Sequence, residues 1–163
     1  MVKWLRLTKH QHLGFFRTRT GFFALQELPY MVMPFIPLKS NPLMQMQDKS
    51  IVMNVTEKIL GVSCVVIMLF LVRNDLKWFS IYSLKEFIFL SLAVLVIIVY
   101  FIGWFFYYRG YQSLSLILCA LVAPPPIYYI FIGLWRRNYV LSVLASLFLL
   151  AHLLNVWNNL KQQ

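Results

Sequence analysis

Residues 87–108 read FIFLSLAVLVIIVYFIGWFFYY, a run of twenty-two positions without aspartate, glutamate, lysine, arginine or histidine. At about 1.5 Å of rise per residue, a helix of this length crosses the roughly 30 Å hydrocarbon layer of a bilayer. The composition agrees, because 61% of the 163 residues are hydrophobic and 12% are charged. A soluble domain of this composition would expose large apolar patches. The segment therefore predicts a membrane-spanning helix.

Three more apolar segments predict a small all-α bundle of four transmembrane helices over residues 51–163. The predicted spans cover residues 51–72, 87–108, 111–135 and 139–157. The first is continuously apolar only from residue 59, so it reaches the about twenty residues of a span only by including Glu57 and Lys58. Aromatic residues at the span ends predict a belt at headgroup depth. This belt consists of residues 104–108, Tyr111, Trp135, Tyr139 and Trp157.

The first fifty residues differ from the rest, because they are basic and interrupted by proline. Lysines and arginines precede the first acid, Glu27, and four prolines follow between residues 29 and 42. Since proline disrupts a helix interior, we expect residues 1–50 to be a disordered or interfacial leader. Two interpretations stay open. The leader is a transit peptide or membrane anchor, or it is an extension that the functional chain lacks, because Met44 and Met53 lie close to the first span.

The net charge of +10 indicates the partners of the chain. Lysine and arginine lie in the leader and at the ends of apolar runs, where they match the anionic headgroups of a lipid bilayer. A basic stripe on a folded polar face is missing, so we expect no nucleic-acid binding. The predicted location is the plasma membrane, or an organelle membrane if the leader is a transit peptide.

Pro124, Pro125 and Pro126 lie at the centre of the third predicted span. Each lacks a backbone donor and pushes the preceding residue away from helical angles, so we expect a broken helix with halves at residues 111 to about 122 and 127–135. The freed carbonyls must be buried in protein or face a wet cavity. Such breaks form ligand sites in many transporters. The alternative is a kink that only shapes the bundle, because the sequence shows no second broken helix.

Small side chains recur at helical spacing on the last two predicted spans. They are Ser115, Cys119 and Ala123 on the third span, and Ser142, Ala145 and Ser146 on the fourth. Lipid supplies no hydrophobic drive between helices, so close packing of small residues takes its place. We therefore expect the third and fourth spans to pack through these faces.

His152 is an ionisable residue well inside a predicted span, and Asn155 and Asn159 follow it on the same helical face. Histidine changes charge near physiological pH, so this polar seam is a candidate for proton movement. Glu57 is the second candidate, because a carboxylate below the headgroups would be able to exchange a proton for a cation. The simpler interpretations are an interfacial histidine and a solvated Glu57–Lys58 pair.

No catalytic residue, cofactor or metal site is predicted. The sequence has no glycine-rich phosphate loop, no H-E-x-x-H pair and no nucleophile elbow. Its two cysteines, Cys64 and Cys119, lie inside apolar runs and form neither a disulfide framework nor a zinc pattern. These features favour a protein that is not an enzyme.

The functional prediction is an accessory, protective or complex-forming membrane subunit that acts by helix–helix binding, in a larger complex or as a homo-oligomer. The alternative is a small proton-coupled transporter of lipophilic or cationic solutes that works as an oligomer. A core of just over one hundred residues, beginning near Met44 or Met53, is similar in size and hydropathy to the small multidrug resistance family. That resemblance implies an essential membrane-embedded glutamate in the first span. Glu57 matches it if the span begins early, and no other motif carries over.

Overall fold

The computed structural model describes residues 2–6, 11–15, 17–38, 40–73 and 81–161. Two strands and one helix precede the spans. They are strand β1 (Val2–Arg6), strand β2 (Gln11–Phe15) and helix α1 (Arg17–Val32), followed by a 3-10 turn at Met33–Phe35. Strand β3 (Leu71–Arg73) comes after the first span and pairs antiparallel with β2, which gives a small sheet of order β1-β2-β3.

Four helical segments are long and apolar enough to cross a membrane, which confirms the predicted all-α bundle of four spans. In chain order they are α2 (Ile51–Phe70), α3 (Leu84–Tyr108), a composite third span (Leu114–Trp135) and the last helix (Tyr139–Leu160). The third span contains α4 (Leu114–Leu116), a π-helical segment (Ile117–Val122) and α5 (Pro124–Trp135), so the last helix is α6. Large apolar side chains remain exposed along the spans, as expected for helices surrounded by lipid.

Each span begins at a short polar side chain that caps the helix. Ser50, Ser83, Ser113 and Asn138 each accept a hydrogen bond from the backbone N–H three residues later, at 3.3 to 3.4 Å. Such a bond satisfies one of the N–H groups that the first turn of a helix leaves without a partner. The four starts lie within three residues of the predicted ones.

The spans pack as a row in which α2 contacts α6, α6 contacts α5, and α5 contacts α3. Helix α1 contacts both α2 and α3, which are the two ends of that row. Two glycines allow the closest approaches. A Cβ atom at Gly133 would lie 2.4 Å from Ser142 Oγ, and one at Gly103 would lie 2.8 Å from the carbonyl oxygen of Ala120.

The third span changes helix type at the prolines. Ala123 N donates to Leu118 O, five residues earlier, at 2.9 Å, which is the hydrogen-bond spacing of a π-helix. Ala123 itself keeps helical angles of φ −69° and ψ −38°. The α-helix then begins at Pro124 instead of Ile127, because proline is tolerated in a first turn, where its missing N–H is not needed. The predicted break is therefore present, and the second half of the span begins three residues earlier than expected.

Helix α1 departs from the prediction of a leader with little fixed structure. Pro29 lies in its last turn, where the ring removes a hydrogen bond close to the helix end. Phe22 and Phe23 pack against the bundle core, and the Tyr108 hydroxyl donates to the Pro29 carbonyl. These tertiary contacts offset the cost of the proline. Residues 1, 7–10, 16 and 39 of the predicted leader lie outside the described residues.

The aromatic belt is also only partly as predicted. Tyr111 and Trp157 are exposed at span ends, whereas Trp104 and Trp135 are both only 3% exposed. Trp104 lies beside Gly103, where α3 approaches the third span most closely, so its ring is enclosed by neighbouring helices. A span-end position alone therefore did not distinguish a belt residue from a core residue.

An ion pair fixes α3 to the connection between α5 and α6. Arg137 Nη2 lies 2.7 Å from Glu86 Oε1, and Tyr82 N donates to Glu86 Oε2 at 2.7 Å. The Glu86 side chain is 5% exposed, so Arg137 neutralises the charge of a nearly buried carboxylate. Arg137 adopts a left-handed φ of 51° to end the α5 turn, which positions it for this contact.

Candidate functional site

The polar seam that the sequence predicts on the last span lies on the inner side of α6. Asn155 and Asn159 are buried, and the His152 side chain is 22% exposed. Phe148, one turn earlier, stacks on the His152 ring with 5.0 Å between ring centroids. The imidazole is therefore held between an aromatic ring and the two amides that follow it on the same helical face.

Glu57 reaches this seam from α2. Its Oε1 atom lies 2.8 Å from His152 Nδ1, and its Oε2 atom accepts a hydrogen bond from the Asn155 amide. The Asn159 amide donates to Asn155 Oδ1 at 3.4 Å and extends the network along α6. Because the Glu57 side chain is only 17% exposed, the structure places it against α6 rather than in solvent with Lys58.

A glycine one turn beyond Glu57 allows α2 to approach α6 at this level. A Cβ atom at Gly61 would lie 3.2 Å from two ring carbons of Phe148, closer than most carbon contacts. The α2 face with Glu57 and Gly61 thus meets the α6 face with Phe148 and His152, each pair being four residues apart. The spacing of both pairs was visible in the sequence, but their meeting depends on the packing of the two spans.

The amino-terminal end of α2 is tied to the carboxyl-terminal end of α6. Lys49 Nζ donates to the Asn158 carbonyl at 2.7 Å, and Lys49 N donates to Asn159 Oδ1 at 3.3 Å. The Asn54 side chain donates to Asp48 in the same region. The polar network therefore continues from Glu57 to the end of the bundle.

A cavity of about 670 Å³ is lined by α1, α2, α3, the third span and α6. Glu57, His152, Asn155 and Pro125 all line it, so four of the residues singled out in the sequence share one cavity. We call it the central cavity. Its aromatic walls consist of Phe23, Tyr30, Tyr100, Trp104, Tyr129 and Phe148.

The charged groups of the central cavity are mostly acidic. Among the described residues, Glu27, Asp48 and Glu57 line it together with one cation, Lys58. Burial raises the pKa of the Glu27 carboxyl above its ordinary value, because the charged form loses hydration. Carboxylates thus outnumber cations among these side chains, and Glu27 takes up a proton at a higher pH than an exposed glutamate.

The three prolines have different surroundings. Pro124 and Pro126 are buried in the bundle, whereas Pro125 lines the central cavity. None of the three has an N–H, so the carbonyls of residues 120–122 receive no α-helical hydrogen bond. Leu121 and Val122 line the cavity, whereas the Ala120 carbonyl oxygen faces Gly103 of α3. The break therefore adjoins both the cavity and the contact with α3.

Two of the three small residues that the sequence singles out on the fourth span lie inside the bundle. Ser142 and Ala145 are buried, and Ser142 Oγ donates to the Ile130 carbonyl of α5 at 3.1 Å. Ser146 is exposed, and its hydroxyl donates back to the Ser142 carbonyl of its own helix at 2.9 Å. The contact between the third and fourth spans is therefore present on the α6 side.

The third span does not use its predicted face for this contact. Ser115 and Cys119 are exposed, and Ala123 is half-buried. The apolar residues of the π-helical segment occupy the inner side instead, and Gly133 is the small residue that meets Ser142. The predicted face assumed α-helical spacing through a segment whose hydrogen bonds follow a π-helical pattern.

Sequence reasoning did not single out the cavity residues of α1 and α3. Gln26, Glu27 and Trp104 were assigned to a leader and a belt, yet all three line the central cavity. The available signal was the polar pair Gln26–Glu27 within the otherwise apolar stretch around Phe23. An acid in apolar surroundings is a candidate functional residue wherever it lies next to a membrane span.

Comparison of the chain with protein-family models, with curated proteins and with solved structures finds no match. The central cavity and the side chains that line it are therefore the basis of the functional proposal.

Proposed function

We propose that the protein is a small membrane transporter that exchanges lipophilic organic cations for protons. The observation that carries this proposal is the position of Glu57, which is held by His152 and Asn155 on the wall of an aromatic cavity between spans. An ionisable group inside a bundle of spans is costly, and such groups mark ion pathways and proton relays.

The dimensions and lining of the cavity suit an organic cation. Its volume of about 670 Å³ falls within the range of about 300 to 1,000 Å³ that is typical of small-molecule sites. Aromatic faces attract cations through their quadrupoles, and they also pack against apolar rings and chains. Carboxylates supply the opposite charge. A compact inorganic cation would gain little from walls such as Tyr100 and Phe148, whereas a lipophilic cation uses both features.

The Glu57–His152 pair supplies the coupling to protons. A proton on this pair and a cation in the cavity neutralise the same negative charge, so occupancy by one weakens binding of the other. Asn155 keeps one carboxylate oxygen fixed, which leaves the oxygen nearest to His152 as the atom at which a proton is gained or lost. Cation entry on one side of the membrane thus favours proton release.

The test is uptake of tetraphenylphosphonium by proteoliposomes that hold a pH gradient. We expect E57Q to reduce uptake at least tenfold, because a neutral amide neither carries nor exchanges the proton. H152A should slow uptake severalfold and alter its dependence on pH, since Glu57 loses the imidazole that lies 2.8 Å from its Oε1 atom. The matched control is S146A, which lies on α6 outside the cavity lining and should transport at the wild-type rate.

Uptake that is absent from the wild-type chain, or that is unchanged in both E57Q and H152A, would contradict this proposal. A change in S146A equal to that in H152A would show a general defect of α6. We place the activity in the plasma membrane, where basic residues near span ends match an anionic leaflet.

A second candidate is a complex-forming subunit that acts by helix–helix binding. It is favoured by the exposure of Ser115 and Cys119, which lie four residues apart on the outer face of the third span. Small side chains of this kind allow a second helix to approach closely. Transport by an oligomer and assembly through this face are compatible, and cross-linking through Cys119 tests the assembly.

A further inference from the structure

A short segment before α2 crosses one end of the central cavity. Residues 40–49, which we call the strap, lead into α2 and are bonded to the ends of α3 and α6. The Tyr107 hydroxyl of α3 donates to Asn41 Oδ1 at 2.7 Å and accepts from Leu43 N at 3.3 Å. Lys49 holds the other end of the strap through its two hydrogen bonds to α6. The strap is therefore fixed at both ends.

The strap lies between Glu57 and this end of the bundle. Leu43 and Met46 are partly buried and line the cavity, whereas Met44 is 57% exposed on the outer side of the strap. Glu57 lies six residues into α2, which corresponds to about 9 Å of helical rise. The route from this end of the bundle to Glu57 therefore leads past the strap.

A chain of hydrogen bonds connects Glu57 to the strap. The Asn155 amide donates to Glu57 Oε2, and the Asn159 amide donates to Asn155 Oδ1 at 3.4 Å. Lys49 N then donates to Asn159 Oδ1 at 3.3 Å. All three bonds point towards the carboxylate, so a negative charge on Glu57 polarises and strengthens each of them. Loss of that charge to a proton or to a bound cation weakens the last bond, which holds the strap.

We propose that the strap is a gate of the central cavity, which Tyr107 holds closed and which opens when the charge of Glu57 is neutralised. This inference rests on the proposed function, because exchange requires a gate that responds to the proton or the cation in the cavity. Asn159 transmits the state of Glu57 to the strap. The hydrogen bonds of Tyr107 lie outside that chain, so closure and coupling depend on different residues.

The experiment measures how fast a polar maleimide labels a cysteine on either side of the strap. The purified full-length chain in detergent carries C64A and C119S together with M46C, on the cavity side, or M44C, the matched control on the exposed side. We expect M46C to react about tenfold more slowly than M44C, because its reaction requires local opening of the strap. Y107F should raise the M46C rate about fivefold, which corresponds to the loss of one hydrogen bond, and leave the M44C rate unchanged.

A double-mutant cycle tests the link between Glu57 and the strap. E57Q should also raise the M46C rate about fivefold, because a neutral amide does not polarise the chain of hydrogen bonds. In N159L the link is absent, so the rate is already raised and E57Q should add nothing. The effects of Y107F and E57Q should multiply. If N159L does not fold, N159D breaks the same link, because it loses the amide donor to Asn155.

Two results would overturn this inference. Equal labelling of M46C and M44C would show that the strap does not close the cavity. Effects of E57Q and N159L that multiply would show that Glu57 is not linked to the strap. Either result, with uptake still dependent on Glu57, leaves the transporter proposal standing. Labelling as expected, together with absent uptake, would support the gate and overturn the transporter.

Discussion

Glu57 and Glu27 occupy the same cavity in different surroundings. Both oxygens of Glu57 face α6, through His152 and Asn155, so its charge is compensated by fixed groups. Glu27 receives a hydrogen bond from the neighbouring Gln26 amide. This difference can be measured through the pH dependence of stability.

The first prediction at this scale concerns Glu27. Burial raises its pKa above the ordinary value of 4.5, so the folded chain binds the proton more tightly than the unfolded chain does. The unfolding temperature of the wild-type chain should therefore rise as the pH falls through the raised pKa towards 4.5. E27Q removes the cost of burying the charge. We expect it to be more stable than the wild type by a few degrees at pH 7 and to show a smaller gain on acidification.

The measurement is thermal unfolding of the detergent-purified chain and of E27Q between pH 4.5 and 8. Asp48, Glu57, Lys58 and His152 also line the cavity and are the same in both proteins, so the difference between the two curves isolates Glu27. Parallel curves, with no added stability of E27Q at neutral pH, would show that Glu27 does not carry a buried charge.

At the scale of elements, the spans were predictable because composition alone specifies a membrane helix. Apolar runs, bounded mainly by aromatic residues and arginines, predicted four helices whose starts lie within three residues of those in the structure. Helix α1 was not predictable in this way. Its stability depends on contacts of Phe22 and Phe23 with the bundle, and the position of its proline in the sequence does not indicate these contacts.

The candidate site was predictable as individual residues and not as a cluster. Glu57, His152 and the prolines were singled out because polar or helix-breaking groups are costly in a membrane. Their meeting at one cavity depends on α2 contacting α6, which no local pattern indicates. Trp104 shows the opposite case. Its position near a span end suggested a belt, and only the close approach at Gly103 explains its burial.

That close approach leads to a prediction about the α3 contact with the third span. In G103A the new methyl group would lie 2.7 Å from Ala120 Cβ and 2.8 Å from the Ala120 carbonyl oxygen, so the backbone of one helix must move. We expect a loss of about 1–3 kcal/mol in the free energy of unfolding, as for other overpacked cores. The measurement is unfolding of the purified chain by a denaturing detergent.

The matched control is G21A on α1. A Cβ atom at Gly21 would meet nothing within 4 Å, and alanine favours a helix over glycine by about 1 kcal/mol, so this variant should be as stable as the wild type or more so. If G103A were no less stable than G21A, the close contact of α3 with Ala120 would not exist as described.

At the scale of the whole molecule, the third span is the most enclosed of the four. In its most apolar stretch of 18 residues 56% of the residues are buried, whereas the corresponding stretches of α2 and α6 are 17% and 28% buried. Its contacts with α3 and α6 leave an outer strip that contains Ser115 and Cys119. Elsewhere the exposed faces of the spans carry mainly large apolar side chains, which lipid solvates well. The strip of small residues is therefore the face on which a second copy would approach most closely.

Oxidative cross-linking in native membranes tests this assembly directly. A disulfide forms only when two Cα atoms approach within about 7 Å, so a Cys119–Cys119 bond between two copies reports contact along the strip. We expect copper phenanthroline to give a band at twice the 19.3 kDa mass of the chain. C119S should abolish the band, and C64A should keep it, because Cys64 is buried inside the bundle whereas Cys119 is exposed. Absence of the band under oxidation would show that two copies do not meet along the strip around Cys119.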